Sequence, residues 1–437
     1  MTIFRRIPSL LVLILVGIGA TSLQSPADDP PVQPNIPKSK TSDDLPSTKA
    51  LVRGNTRLAL DLLRSLRDDG NLFFSPIGVS EALAICFEGA RGATASQMAH
   101  VLGFPEGGSR LGERFQILRQ AGVNLNSDDV TFKSANGLWS QLPLKSDFEN
   151  DVRDDFDAEV FEVDFASPAS REEIRRWVRT QTDGAAELPA ESLSDPLLRL
   201  LVINTILFKA AWAQQFDSDF TSNKPFELMD GTSRDVPTMR QKGVFRYGTW
   251  DDLEVLELPY AGGGASAFIL LPARSDSESD ESAGAVSPLE RLEDTLTAAE
   301  LDGRLSALSP KHLKIYLPRF SITSNLSLGE LLRGLGMSLP FQSGADFSGI
   351  TDADELNIDE VLQDARIDFD EGGTEAAVVT VVTVTGRGIS QKPPPPPRSS
   401  RSTGPSCFWS GRTRPVRFCS WDGSPNRSRT EPDMTEA

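Results

Sequence analysis

Ten consecutive residues, Ala376–Thr385, contain nothing but Ala, Val and Thr. β-branched side chains are stiff at χ1 and suit a pleated surface, so the run is a strong strand former. It has no proline, and every backbone N–H is therefore available to a ladder. Such a run reads first as a buried strand. Its flanks read differently. Glu371, Gly372, Gly373, Thr374 and Glu375 make a charged, turn-permissive entry, and Gly386-Arg387-Gly388 presents an arginine between two glycines, as exposed flexible backbone does. Both readings stand on these residues alone.

The rest of the composition narrows the function. At 437 residues the chain can bury a sizeable core, and its net charge of -18 argues against nucleic acid or an anionic membrane as partner. Three cysteines do not imply a disulfide framework, and Cys86, among Ala, Leu and Ile, reads as a small core residue. With only His100 and His312, a metal cluster or a Ser-His-Asp triad has almost no material, and no phosphate-binding G-x-x-x-x-G-K-[ST] loop occurs. The expectation is a protein that is not an enzyme and carries no metal or cofactor.

Residues 1–24 read as a secretory signal, with Arg5 and Arg6, an apolar stretch Leu10–Val16 and small residues at Ala20-Thr21-Ser22. Residues 25–50 are rich in Pro, Asp, Ser and Lys and read as a flexible leader. The folded domain is expected over 51–392. It opens with a helix over Asn55–Leu66 stopped by Asp68-Asp69-Gly70, then a short strand, a turn at Ser75-Pro76 and a helix to Glu88. Repeated short strands separated by turns follow from Leu200 to Pro272, which argues for antiparallel sheet. The Ser/Asp/Glu stretch 275–286 reads as a solvated surface loop.

The order of motifs resembles the serpins, the family of suicide protease inhibitors. Their hinge E-E-G-T-E-A-A-A-A-T appears here as E-G-G-T-E-A-A-V-V-T from Glu371 to Thr380. N-L-F-F-S-P-I-G-V-S at Asn71–Ser80, G-A-R-G-A-T-A-S-Q-M at Gly89–Met98, L-V-I-N-T-I-L-F-K-A-A-W at 201–212 and A-D-F-S-G-I at Ala345–Ile350 continue the match. The resemblance implies an α+β serpin-like fold, mainly antiparallel sheets with surrounding helices, and an exposed reactive-centre loop over 371–392.

It implies site residues as well. Sixteen positions on from Glu371, the scissile residue is Arg387, followed by Gly388. The hinge comprises Glu371, Gly372, Gly373, Thr374, Glu375, Ala376 and Ala377, with Glu371 paired to Arg319 at the loop base. After cleavage, Thr374 to Gly386 enters a sheet as a new strand, with Thr374, Ala376, Val378, Thr380, Val382 and Val384 facing the core. A gate under that sheet is formed by Ser75, Gly78, Asn204 and Gln363. Two departures lie there: the family's second serine is Gly78, and its His-Lys pair is Gln363-Asp364. Gln363 is expected to bond Asn204 across the gate and, unlike histidine, gives no switch near neutral pH.

The tail breaks the pattern. After Pro393–Pro397 the composition turns to Arg, Ser, Pro, Cys and Trp; residues 398–437 hold seven Arg against four acids, +3, leaving -21 for the rest. Reading each codon's third base with the next codon's first two, Phe408-Trp409 and Phe418-Cys419 both force Leu, and Trp421-Asp422 forces Gly. In that frame Ser402–Ser410 permits D-R-P-F-L-F-L-V and Arg417–Ser424 permits V-L-F-L-G-R-V, the two core strands that end the family pattern. The expectation is an out-of-frame, disordered tail over 393–437, with Cys407 and Cys419 as frame artefacts.

Taken together, the expected function is suicide inhibition of a trypsin-like, arginine-selective serine protease by a secreted protein, extracellular or periplasmic. The protein is expected to be a monomer able to polymerise by loop-sheet addition. The competing readings are a serpin fold that does not inhibit (a substrate, chaperone or carrier) and an inactive product lacking two core strands.

Overall fold

The computed structural model describes residues 11–13, 48–66, 71–105, 110–188, 190–227, 232–272, 287–386 and 417–420. The proposed Asp68–Gly70 stop, the 275–286 loop, Arg387, Gly388 and the tail apart from 417–420 lie outside these residues. The helices are α1 (Lys49–Ser65), α2 (Pro76–Gly89), α3 (Gly92–Leu102), α4 (Leu111–Val123), α5 (Ser146–Phe156), α6 (Pro168–Gln181), α7 (Pro288–Thr295), α8 (Ala298–Ser306) and α9 (Gly329–Gly334). The strands are β1 (Leu11–Leu13), β2 (Val130–Ser140), β3 (Ala158–Glu162), β4 (Leu198–Ala211), β5 (Ser222–Glu227), β6 (Ser233–Thr249), β7 (Leu253–Pro259), β8 (Ser266–Pro272), β9 (Ser309–Pro318), β10 (Phe320–Ser327), β11 (Leu356–Phe369), β12 (Gly373–Gly386) and β13 (Arg417–Ser420).

These strands make two sheets. The first is six-stranded in the order β10-β11-β12-β4-β2-β3, antiparallel except for the parallel pair β2–β3. The second runs β1-β8-β7-β6-β9-β13, with β5 also paired to β6. The α+β architecture with mainly antiparallel sheets is therefore as expected. The segment expected as an exposed loop is instead β12, seated in the middle of the first sheet and buried over nearly its whole length. The physical reason is the Val/Thr run itself, which gains a ladder on both sides and cover on both faces only there. Two smaller expectations also change. Residues 72–75 form no strand before α2, and α1 begins at Lys49, inside the stretch expected to be flexible.

Local sequence explains the element ends. Ser75 caps α2 by accepting a hydrogen bond from the Gly78 N–H at 3.2 Å, with Pro76 at the first helical position. Ser287 with Glu290, and Thr297 with Glu300, form reciprocal capping boxes that start α7 and α8. α2 is apolar nearly all round because it lies buried beneath the first sheet. Val79, Leu83, Ile85 and Cys86 are packed there against Leu58, Phe115, Phe156 and Leu200. Burial pushes the Cys86 thiol up to about 12, so it is inert at neutral pH. A second core, with Phe208, Trp212, Tyr260 and Ile315, fills the space between the sheets. A third, with Trp139, Ile174 and Val178, is roofed by α6.

At the lower end of α2, burial and the neighbouring Asp151 and Asp155 of α5 push the Glu88 carboxyl up to about 7. Its folded value lies above its unfolded one, so its contribution is present at low pH and is lost as pH rises through about 7. Glu88→Gln is therefore expected to leave stability near pH 4 unchanged and to raise it above pH 7 by about 1–3 kcal/mol. Urea unfolding of both proteins at the two pH values checks this; equal midpoints above pH 7 would show that the carboxyl carries no penalty.

Candidate functional site

The site is the slot that β12 occupies between β4 and β11. On one side Thr374 pairs with Ala210, Thr380 with Asn204 and Val384 with Leu200; on the other Thr374 pairs with Phe369, Thr380 with Gln363 and Val384 with Ile358. Alternation sorts the side chains. Val382 and Val384 join the core around α2, Ala376 joins the core between the sheets, and Val379 and Val381 join the core under α6. The face assignment expected from Thr374, Ala376, Val378, Thr380, Val382 and Val384 is thus one of two buried faces, because α6 covers the other.

The hinge is held by its own backbone and by aromatic packing. Asp370 Oδ1 accepts from the N–H groups of Gly372 (2.8 Å) and Gly373 (3.1 Å), turning the chain into the strand. A Cβ on Gly373 would stand 2.0 Å from the Ala210 carbonyl oxygen, so only glycine permits this approach to β4. Trp212 donates its indole N–H to the Asp370 carbonyl at 2.8 Å and stacks on Tyr260 at 4.6 Å. Tyr260, itself buried, donates to Thr374 Oγ1 at 2.8 Å. Glu375, the charged member of the hinge, points outward and pairs with Lys209 at 2.9 Å. Ala376 and Ala377 are buried behind it.

The structure brings Glu371 and Arg319 together at 3.7 Å, and Glu371 also accepts from Thr221 Oγ1 at 2.7 Å. Burial raises the Glu371 carboxyl, but the hydrogen bonds from Thr221 and its own backbone, with Arg319, outweigh it, and the net shift is downward. This base contact therefore persists at neutral pH and weakens as pH falls through the lowered value.

Ser75, Gly78, Asn204 and Gln363 converge beneath the strand. Gln363 is fully buried. Its Oε1 accepts from the Ser75 N–H at 2.8 Å, and its Nε2 donates to the Ser75 carbonyl at 3.0 Å and to Thr380 Oγ1 at 2.7 Å. The expected Gln363–Asn204 bond is absent because β12 lies between β11 and β4, and Thr380 takes the intervening place. A Cβ on Gly78 would meet Asn204 Oδ1 and Thr380 Oγ1, each at 2.9 Å, so the glycine makes room for this convergence. Arg387 and Gly388 follow β12 but lie outside the described residues.

Sequence reasoning missed Glu81 and Arg119. Glu81 sits in α2 directly under Asn204 and accepts from Asn204 Nδ2 at 3.2 Å, from Asn136 Nδ2 at 3.1 Å and from Arg119 of α4 in a short ion pair. Asn204 Nδ2 also donates to Asn136 Oδ1 at 2.9 Å, and Arg119 reaches Asp157 at 3.0 Å. Burial pushes the Glu81 carboxyl up, opposed by Arg119 and Asn136. A charged residue in the middle of a mostly apolar helix was the signal available, and nothing local named its partner 38 residues away.

Comparison with known proteins gives consistent results. A family model described as Serpin (serine protease inhibitor) matches residues 53–398. An uncharacterized serpin-like protein of Thermococcus kodakarensis is 33% identical over 397 residues, covering 87% of this chain and 90% of its own. The leukocyte elastase inhibitor of Bos taurus is 37% identical over 342 residues, 76% of this chain and 88% of that protein. Among solved structures, reactive-loop-cleaved human thyroxine-binding globulin superposes with a TM-score of 0.69 at 26% identity, covering 78% of this chain and 99% of that one. Emu ovalbumin gives 0.70 at 26% identity, with 86% and 100% covered.

The buried network predicts a mutational asymmetry. Arg119→Met leaves the Glu81 carboxylate buried with only amide donors and is expected to cost on the order of 3–5 kcal/mol. Glu81→Gln with Arg119→Met together should cost much less, since no buried charge is left over. Urea unfolding of both single variants and the double variant measures this coupling. Additive losses would show that the two residues do not act as a pair.

Proposed function

The chain belongs to the serpin family, and on that footing we propose that it inhibits serine proteases of the trypsin-like, arginine-selective class, with Arg387-Gly388 as the scissile bond. The observation that carries the reading is the position of β12, paired on both sides inside the first sheet while its C-terminal end leads directly into Gly386-Arg387-Gly388. An Arg guanidinium is compensated only by an acidic primary pocket, which supports that target class. The protease attacks the Arg387 carbonyl through its serine, forming an ester and releasing the Gly388 amine. Strand addition then draws Thr374–Gly386 into the slot. Insertion of a reactive loop into a serpin's own sheet is a known instance of such addition.

Several features of this sequence support insertion over a merely cleavable loop. No side chain from Thr374 to Thr385 other than Glu375 is charged, none is large, and Thr374 and Thr380 each find a hydroxyl or amide partner in the slot. The non-inhibitory reading draws on no comparable feature of the strand. The same proposal holds the protein to be secreted and monomeric before insertion, and its tail after Pro393 to be out of frame. Resequencing the DNA across Pro393–Pro397 tests the last point, and an unchanged frame there would remove it.

Two substitutions separate specificity from trapping. Arg387→Leu is expected to abolish inhibition of trypsin and to shift preference toward chymotrypsin-like enzymes, read as loss of the covalent complex on a denaturing gel. Unchanged trypsin inhibition would misplace the scissile bond. Thr374→Arg puts an unpaired charge at a buried position beside Tyr260, at a cost of several kcal/mol. This variant should be cut by trypsin at the normal rate but form no stable complex; trapping at the parental level would exclude Thr374 as the entry point.

A further inference from the structure

The end of the slot farthest from the hinge is built differently from the rest. Along most of its length β12 pairs residue for residue with both neighbours, but beside Val384 both ladders slip. On β4 the partners step from Leu200 to Leu198, leaving Arg199 as the extra residue; on β11 they step from Glu360 to Ile358, leaving Asp359. Such bulges re-aim a side chain or end a pairing. Beyond them Gly386, the last residue of β12, donates its N–H to the Leu197 carbonyl at 3.2 Å. Arg199 Nη1 donates to the carbonyls of Pro196 (3.3 Å) and Leu198 (3.1 Å), and its Nε stands 3.7 Å from Asp354 Oδ2, in the bend before β11. A Cβ on Gly386 would stand 2.1 Å from that same Asp354 oxygen and 3.0 Å from Arg199 Cγ. The ion pair therefore crosses from the β4 side to the β11 side over the end of β12, in the space that a side chain at 386 would need.

We propose that Arg199 and Asp354 are positioning residues that clamp the far end of the inserted strand at Gly386, and so set how long a trapped protease is held. This role rests on inhibition through β12, where the ester to the protease serine is carried by the residue immediately after Gly386. Whatever fixes Gly386 then fixes the tether. Release requires water to add to the Arg387 ester carbonyl, the bond to the serine oxygen to break, and that oxygen to leave with a proton, freeing an Arg387 carboxylate. The protease does this only with its catalytic groups in register, and roughly 1 Å of misplacement is enough to cost on the order of a hundredfold in rate. One residue of slack in an extended strand is about 3.3 Å. A strand end that frays by one residue thus returns more reach than the protease needs to recover its geometry. The ladder is weakest just there, because both pairings slip beside Val384 and strand ends open most easily. The side-chain pair compensates, and glycine at 386 is what lets it close over the strand.

The lifetime of the covalent complex between trypsin and the full-length protein tests the clamp. Arg199→Ala, Asp354→Ala and Gly386→Ala are each expected to form the complex but to release active trypsin about tenfold faster than the parent, whereas Arg199→Lys, which keeps the cation, stays within about twofold. Release is timed on complex already isolated, so poorer recognition by the protease or a smaller folded fraction does not enter it. Hydrogen exchange of the trypsin-cleaved proteins gives a second readout: Arg199→Ala speeds exchange at Thr385 and Gly386 and leaves Thr374–Val382 as in the parent. A parent that forms no complex would overturn inhibition through β12 and the clamp with it. A parent that traps trypsin would overturn the clamp alone if the alanine variants release it no faster, if Arg199→Lys fails as Arg199→Ala does, or if exchange in Arg199→Ala rises equally along the whole strand.

Discussion

Everything in the first sheet depends on β12 having a partner strand on each side. A strand of Val and Thr outside a sheet exposes both its backbone polar groups and its branched side chains. Inside the slot it satisfies the former against β4 and β11 and buries the latter in three separate cores. At about 1 kcal/mol net for each ladder bond, a fully inserted strand contributes on the order of ten kcal/mol, comparable to the stability of a whole domain. The same arithmetic makes any state with this segment outside the sheet a strained alternative. An arrangement of that kind can do mechanical work on something attached to the strand's end, because the driving force is spread along the whole slot and not lodged in one contact.

The strand's composition follows from what lies along the slot. Thr374 meets the Tyr260 hydroxyl and Thr380 meets the Gln363 amide, whereas Val381, Val382 and Val384 meet apolar cores. A valine at 374 or 380 would leave a buried donor unpaired, and a threonine at 381 or 382 would bring a hydroxyl into an apolar core. Gly78 and Gly373 serve the same convergence from outside the strand interior. Each lies where a Cβ would stand closer to a polar atom than real side chains come. Glycine at position 78, read in the sequence as a departure, has a direct steric reason in the approach of Thr380 and Asn204.

Much of this was legible before any coordinates. The Ala/Val/Thr run gave the strand, and the resemblance of the flanking and upstream motifs to the serpins implied the hinge and brought Ser75, Gly78, Asn204 and Gln363 into one place under it. What was not legible was which of two stable placements the run adopts, because β-propensity and burial are indifferent to whether the slot is open or filled. The Gln363–Asn204 bond failed for that reason: it presupposed an empty slot. Glu81 and Arg119 were hidden for a different one. A buried ion pair is set by packing of α2 on α4, and the sequence separation between them carries no periodic signal. The β1–β8 pairing was hidden likewise, since an apolar run near a chain start reads as a signal whether or not it also pairs with a sheet.

The polar groups under the sheet are arranged as two half-networks, one on each side of the slot. Asn204, Asn136, Glu81 and Arg119 tie β4 and β2 to α2 and α4, while Gln363 binds the backbone of Ser75 at the start of α2. Among the described residues no hydrogen bond runs directly from Asn204 to Gln363, so β4 and β11 can part without leaving a buried charge behind. Thr380, arriving with β12, bonds Gln363 from above and stands beside Asn204. The charged members all lie in the β4 half, where their mutual contacts need not break as the slot opens or fills. The half that faces the changing gap is built from neutral amides and hydroxyls, whose bonds exchange at small net cost. Gln363, Thr380 and Ser75 carry no group that titrates near neutral pH, so the contacts on this side of the slot are made without a proton being gained or lost.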